Sequence, residues 1–170
     1  MLIQQKIGNI NTVGINGRII DLLPLEWYET NKRILHKRTM AGKSLVMKFL
    51  KEDPDLKQDD VVLADESCVV VIEIQPCEAI VVQPVTMFNM ASLCYEIGNK
   101  HLPLFMEGNE VLVPYEAPLF RLLSASGFNP VKEKRKLLHS IKSSVSPHNH
   151  GSGSSLFSRI LQLTTASPDV

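Results

Sequence analysis

Nowhere in its first 75 residues does the chain sustain the apolar spacing of a helix, whereas beyond Gln75-Pro76 helical faces alternate with short Val- and Ile-rich runs. This change of rhythm constrains the fold more than any other feature. It calls for an all-β first half without a helix of any length, followed by a mixed second half. Residues 26–30, 33–38 and 44–49 are short runs with partial alternation, and Asn31-Lys32 and Ala41-Gly42-Lys43 read as hairpin turns between them. Leu45, Met47 and Phe49 take one side of a strand, with Val46 and Lys48 on the other. Residues 51–60 are charged, contain Pro54 and read as a loop, after which 61–64 and 68–74 look like buried strands.

In the second half, residues 78–85 form a strand, and Thr86 is placed to cap a helix running to Asn99. Met90, Leu93, Cys94 and Ile97 recur at helical spacing on one face, and His101 is expected to continue that stripe. Two extended pieces follow at 102–106 and 110–113, joined by Glu107-Gly108-Asn109. Pro118 suits a first helical turn, Leu119, Phe120, Leu122 and Leu123 supply an apolar face, and Gly127 is a helix stop. A charged strand at 131–138 closes a β-α-β-β-α-β order. The expected fold class is α+β: a β-rich N-terminal domain at 1–75, a ferredoxin-like (βαββαβ) C-terminal domain at 76–140, and a flexible tail at 141–170.

The tail is expected to be mobile because its Ser- and Gly-rich stretch at 143–155 cannot bury enough apolar surface to offset chain entropy. Leu156, Phe157, Ile160 and Leu161 then form a short amphipathic patch. Lys plus Arg and Asp plus Glu balance at 18 each, so no net field draws the chain to nucleic acid or membrane. No window approaches the roughly 18 apolar residues of a membrane span, and the opening run breaks at Gly8-Asn9, too early for a secretion signal. Cys68, Cys77 and Cys94 form no C-x-x-C pair, which favours a reducing, cytoplasmic setting over a disulfide framework.

Histidines carry the most informative chemistry. His148 and His150 stand two apart in the Ser/Gly stretch, where two imidazoles could wrap onto nickel, copper or zinc. A solvated, inert pair explains that spacing equally well. His101 follows Gly98, and a glycine inside a helix costs about 1 kcal/mol relative to alanine. Close approach of a second copy would account for it and bring two His101 side chains to a two-fold axis; spacing alone favours the plainer alternative, a helix stop. His36 is expected on a solvated strand face, and His139 is a possible auxiliary ligand. Cys94 and His101 as a hydrolytic pair rank last, because two helical turns place them roughly 10 Å apart along the axis. Ala41-Gly42-Lys43-Ser44 lacks the first glycine of a phosphate loop and joins two strands, so a hairpin explains it better.

The segment Cys94-Tyr95-Glu96-Ile97-Gly98-Asn99-Lys100-His101-Leu102-Pro103-Leu104 resembles the Gly-Asn-Arg-His segment of the urease accessory nickel metallochaperones, the UreE family. Leu25-Glu26-Trp27-Tyr28-Glu29-Thr30, followed by a basic strand and a Gly-Lys turn, resembles the family's N-terminal domain. The likeness covers about residues 1 to 138. It implies a homodimer with His101 at the two-fold axis, and tail histidines, mapped onto His148 and His150, that complete or feed the site. It also implies a cargo of Ni²⁺, with Zn²⁺ possible at the same site, and delivery to apo-urease during metallocentre assembly. The N-terminal domain would contact the apo-urease maturation complex, including its accessory GTPase. No catalysis is implied. Two departures stand out: Lys100 replaces the commoner arginine, and a further His-x-His found in some members is missing around residues 113–117. The competing reading is a protein-interaction module or chaperone that carries no metal.

Overall fold

A computed structural model describes residues 1–51 and 53–141. The strands are β1 (Leu2–Ile3), β2 (Gly8–Asn9), β3 (Ile19–Leu25), β4 (Ile34–Arg38), β5 (Ser44–Lys48), β6 (Asp60–Ala64), β7 (Cys68–Ile74), β8 (Cys77–Val82), β9 (Leu104–Glu107), β10 (Glu110–Pro114), β11 (Val131–Arg135) and β12 (Ser140–Ile141). The helices are α1 (Ile10–Val13), α2 (Met87–Asn99) and α3 (Ala117–Ala125). The architecture is mixed and rich in sheet.

The first half is built from a sheet of order β1-β5-β4 and one of order β2-β6-β7-β3. Ile3, Leu35, Leu45 and Met47 from the first meet Leu23, Leu25, Val70, Ile72 and Ile74 from the second in one buried cluster. The alternation along β5 expected from sequence is present, with Leu45 and Met47 buried and Lys48 exposed. Gly42 turns the β4–β5 hairpin in the left-handed region, at φ +88°. The Ala41 N–H beside it is held by the buried Asp21 carboxylate at 3.0 Å.

Three expectations are corrected here. Residues 26–30 are not a strand: Trp27–Glu29 is a 3-10 turn. The Glu26 N–H donates to the Glu29 carboxylate at 3.0 Å and the Thr30 hydroxyl to the Trp27 carbonyl at 2.8 Å, so local side-chain bonds outcompete ladder pairing. The half is also not free of helix, since α1 forms one short turn closed by an Asn9/Thr12 capping box. Finally, β3, absent from the sequence reading, is a seven-residue strand parallel to β7 along its whole length. A parallel partner requires a long crossover, supplied here by everything from the 3-10 turn to β6.

The second half runs β8-α2-β9-β10-α3-β11, the element order expected, in an antiparallel sheet of order β11-β8-β10-β9-β12. Ile80 and Val82 of β8, with Val111 and Val113 of β10, face the buried sides of α2 and α3, Leu93, Ile97, Leu119 and Leu123. The alternate residues Ala79, Val81 and Leu112 face the other way, with Phe105 and Leu137, against Trp27 of the first half. The Trp27 and Phe105 rings meet edge to face, their centroids 5.6 Å apart. β8 is thus covered on both faces from Ala79 onward, which explains the unbroken apolar run Ala79-Ile80-Val81-Val82 after Glu78.

Polar contacts tie the same junction. Lys136 pairs with Glu73, whose other carboxylate oxygen accepts from the Gln58 amide at 2.7 Å. Burial pushes the Glu73 carboxyl up, but the Lys136 and Gln58 hydrogen bonds and the Lys136 charge outweigh it, leaving the net value below the ordinary 4.5. A depressed carboxyl stabilises the fold above its unfolded value, and that contribution is lost as pH falls through the folded one. Urea unfolding between about pH 5 and pH 3 should therefore depend less steeply on pH in Glu73→Gln than in the parent. In the first-half core, Leu23→Ala removes a side chain with no exposed surface and should cost about 2–5 kcal/mol in the same assay.

Candidate metal centre

The α2 helix is where the sequence most clearly sets up a site. The Thr86 hydroxyl caps it by accepting from the Asn89 N–H at 3.1 Å. Its core face carries buried Leu93 and Ile97 with half-buried Met90 and Cys94, as the spacing requires. Phe88, Ala91, Tyr95 and Gly98 fall on the opposite face and are exposed. Phe88 is 80% and Tyr95 69% exposed, and Met87 stands 84% exposed beside them.

His101 does not continue the core stripe. The helix ends at Asn99, and the His101 backbone lies in the left-handed region, at φ +55°, with its N–H donating to the Gly98 carbonyl at 2.9 Å. Its side chain is turned out and exposed. This is the position after the cap that glycine usually fills, and a non-glycine residue there carries a cost of about 1–2 kcal/mol. Gly98, by contrast, lies inside the helix, where alanine would be cheaper. A Cβ added to Gly98 would meet nothing within 4 Å in this chain, so no internal contact demands a glycine. Both residue choices run against local helix stability, at adjacent points on one exposed surface.

The other candidates are scattered. His36 is exposed on β4 opposite Val46, and His139 is exposed just before β12, its carbonyl accepting from the Met106 N–H at 3.0 Å. Among the described residues no group of three His, Cys, Asp or Glu side chains is arranged to hold a metal ion. Cys94 donates a weak hydrogen bond to the Met90 sulfur at 3.9 Å, and burial pushes its thiol above the ordinary range. A thiol held protonated is a poor nucleophile and ligand, which weighs against pairing Cys94 with His101 in hydrolysis. His148 and His150 lie outside the described residues.

The path of the chain toward those two residues does bear on the site. Strand β12, absent from the sequence reading, pairs antiparallel with β9, Ser140 opposite Phe105 and Ile141 opposite Leu104. The β12 direction therefore points the chain along β9 toward Pro103, Leu102 and His101. Three peptide steps separate His101 from Leu104, so Ile141 lies within about 17 Å of His101. His148, seven residues on, has a reach of about 23 Å from Ile141. Among the described residues, no helix is long and apolar enough to cross a membrane.

Comparison with known proteins identifies both halves of the chain. Residues 3–75 match the UreE urease accessory protein N-terminal domain, and residues 77–155 match the C-terminal domain of the same protein. The chain is 44% identical to the urease accessory protein UreE of Flavobacterium johnsoniae over 96% of its own length and 99% of that protein. It is 43% identical to that of Actinobacillus pleuropneumoniae, covering 83% of this chain and 78% of the relative. Against that of Acetivibrio thermocellus it is 32% identical, covering 88% and 97%. With both halves matched in order and nearly the whole length aligned, the chain belongs to the UreE urease accessory protein family.

Proposed function

We propose that this protein is a homodimeric metallochaperone that carries Ni²⁺ as cargo and delivers it to apo-urease during metallocentre assembly. The observation that carries the reading is His101: an exposed imidazole in a left-handed position where glycine would be cheaper, next to an in-helix glycine with open space before it. Outliers of this kind cluster at functional sites, because the side chain is needed more than the local stability.

The exposed Phe88 and Tyr95 on the same helix suit an isologous interface with a second copy, in which Gly98 would allow close approach and the two His101 side chains would meet. Each chain then supplies one rigid imidazole, and His148 or His150 fills open positions. Zn²⁺ fits the same donors. Because imidazole must be neutral to ligate, acid releases the metal. The strand order β11-β8-β10-β9 supports a ferredoxin-like arrangement for the metal-binding and dimerisation half, residues 76–140. The N-terminal half, residues 1–75, is assigned to contact with the apo-urease maturation complex and its accessory GTPase. Three free cysteines fit a cytoplasmic setting. No catalytic step is needed: capture and handover are changes of coordination.

Calorimetric titration of Ni²⁺ into the tag-free protein should give one tight site per pair of chains, abolished in His101→Ala. Retention of that site in the variant would sink the role given to His101, and absence of any tight site in the parent would favour an interaction module without a metal. Phe88→Asp should leave the fold intact by circular dichroism yet give monomers in sedimentation equilibrium, with the shared site lost.

A further inference from the structure

Between the two halves lies a cavity of about 550 Å³ that the metal-carrying reading does not use. Its volume falls in the range of sites that hold organic groups. Half-buried Trp27 and exposed Leu138 give it accessible apolar surface over a floor of buried Leu56, Ile74, Phe105 and Leu137, and the rest of the lining is polar. Ser140, one residue before the end of the described chain at Ile141, is part of the lining.

We propose that the chain's own C-terminal segment docks there, placing Leu156, Phe157, Ile160 and Leu161 against Trp27 and Leu138. The occupant is identified by its composition and its tether. Leu156 with Ile160, and Phe157 with Leu161, are i, i+4 pairs that form one apolar face in a helical turn. This is the only cluster of large apolar residues after residue 145, and it is separated from Ile141 by a polar, Ser- and Gly-rich stretch suited to a return loop. Fifteen residues allow a contour of about 50 Å, enough to run along β9 and come back. Closing such a loop is cheap, because its entropic cost grows only slowly with length. Arg159, in the middle of the segment, brings a positive charge toward a rim that includes Asp55, itself 3.6 Å from Lys57.

One consequence rests on the metal-carrying reading. With Ile141 and Leu156 both fixed, His148 and His150 fall at the middle of the loop between them, seven residues from one anchor and six from the other. Strand β12 runs antiparallel to β9, in the direction of His101, so a loop continuing that way would bring its turn toward the rigid imidazole. Docking would then raise the local concentration of these two imidazoles at the site.

The full-length chain, free of metal, supplies the test. Trp27 is the single tryptophan, so its emission reports the cavity directly. Replacing Leu156, Phe157, Ile160 and Leu161 together by serine alters none of the described core, and should move Trp27 emission to the red and increase its quenching by acrylamide. Separately, benzoylphenylalanine at position 157 should photo-crosslink to residues 27, 56–58, 105 or 137–140, located by mass spectrometry. Unchanged Trp27 emission overturns the proposal. So do crosslinks to the Phe88–Tyr95 face of α2, or heavy–light linked pairs from isotopically mixed chains, which would place the segment on a second copy. Because neither readout involves nickel, a failure here is separate from a failure of the His101 titration.

Discussion

Burial of β8 on both faces holds this molecule together. One row of its side chains, Ile80 and Val82, is closed over by α2 and α3, and the other, Ala79 and Val81, by Trp27 and Leu137. Leaving either row in water would forgo about 25 cal/mol for each Å² of apolar surface, so neither half is indifferent to the other. The edge-to-face contact of Trp27 with Phe105 matters most here, because Phe105 belongs to β9, the strand that begins three residues after His101. The packing that fixes the first half against the sheet also fixes the strand beside which the tail departs. Lys136, Glu73 and Gln58 add a polar clasp on the same side, whose net effect on Glu73 is to favour its ionised form.

Much of this was legible in the residues. The α2 stripe, the Thr86 cap, the Gly42 hairpin and the β-α-β-β-α-β order are local patterns, written within a dozen or so residues, and the structure contains each of them. The missed strands share one cause, pairing with a distant partner. Ile19-Ile20-Asp21-Leu22-Leu23-Pro24-Leu25 has no clean alternation because Ile19, Ile20 and Leu22 stay exposed while Asp21 is buried as an acceptor for a remote hairpin. The β7 partner of β3 lies some fifty residues away and runs parallel. The two-residue strands β1, β2 and β12 have no sequence signature at all, since backbone pairing alone defines them. At the 3-10 turn the signal was present, because Glu26 and Glu29 sit at capping-box spacing, but the partial alternation over residues 26–30 points to a strand instead.

The candidate site was legible in part for the same reason. Residue type and resemblance pointed to His101, yet the stripe 90, 93, 94, 97 predicted that it would face the core. A left-handed backbone reverses its direction, and dihedral angles of a single residue are not written in periodicity. Likewise no local pattern announced β12, which pairs with the strand that follows His101.

On the proposed reading, the poverty of ligands in one chain is what suits a carrier. A complete preformed site would bind nickel tightly and release it slowly, because affinity differences lie mostly in the rate of departure. A single fixed imidazole does neither until a second copy and the tail contribute. Metal binding is then coupled to association and to tail position, and linkage makes the coupling reciprocal: whatever factor dimerisation adds to metal affinity, metal adds to dimerisation. Removing the tail donors in favour of donors on an acceptor leaves the fixed imidazoles in place during the exchange, so the ion passes through a partly coordinated state without being freed into water. The local cost of placing histidine where glycine is preferred, and glycine where alanine is preferred, is thus a stability penalty confined to one helix end. The doubly covered β8 sheet supplies the stability that lets the fold carry it.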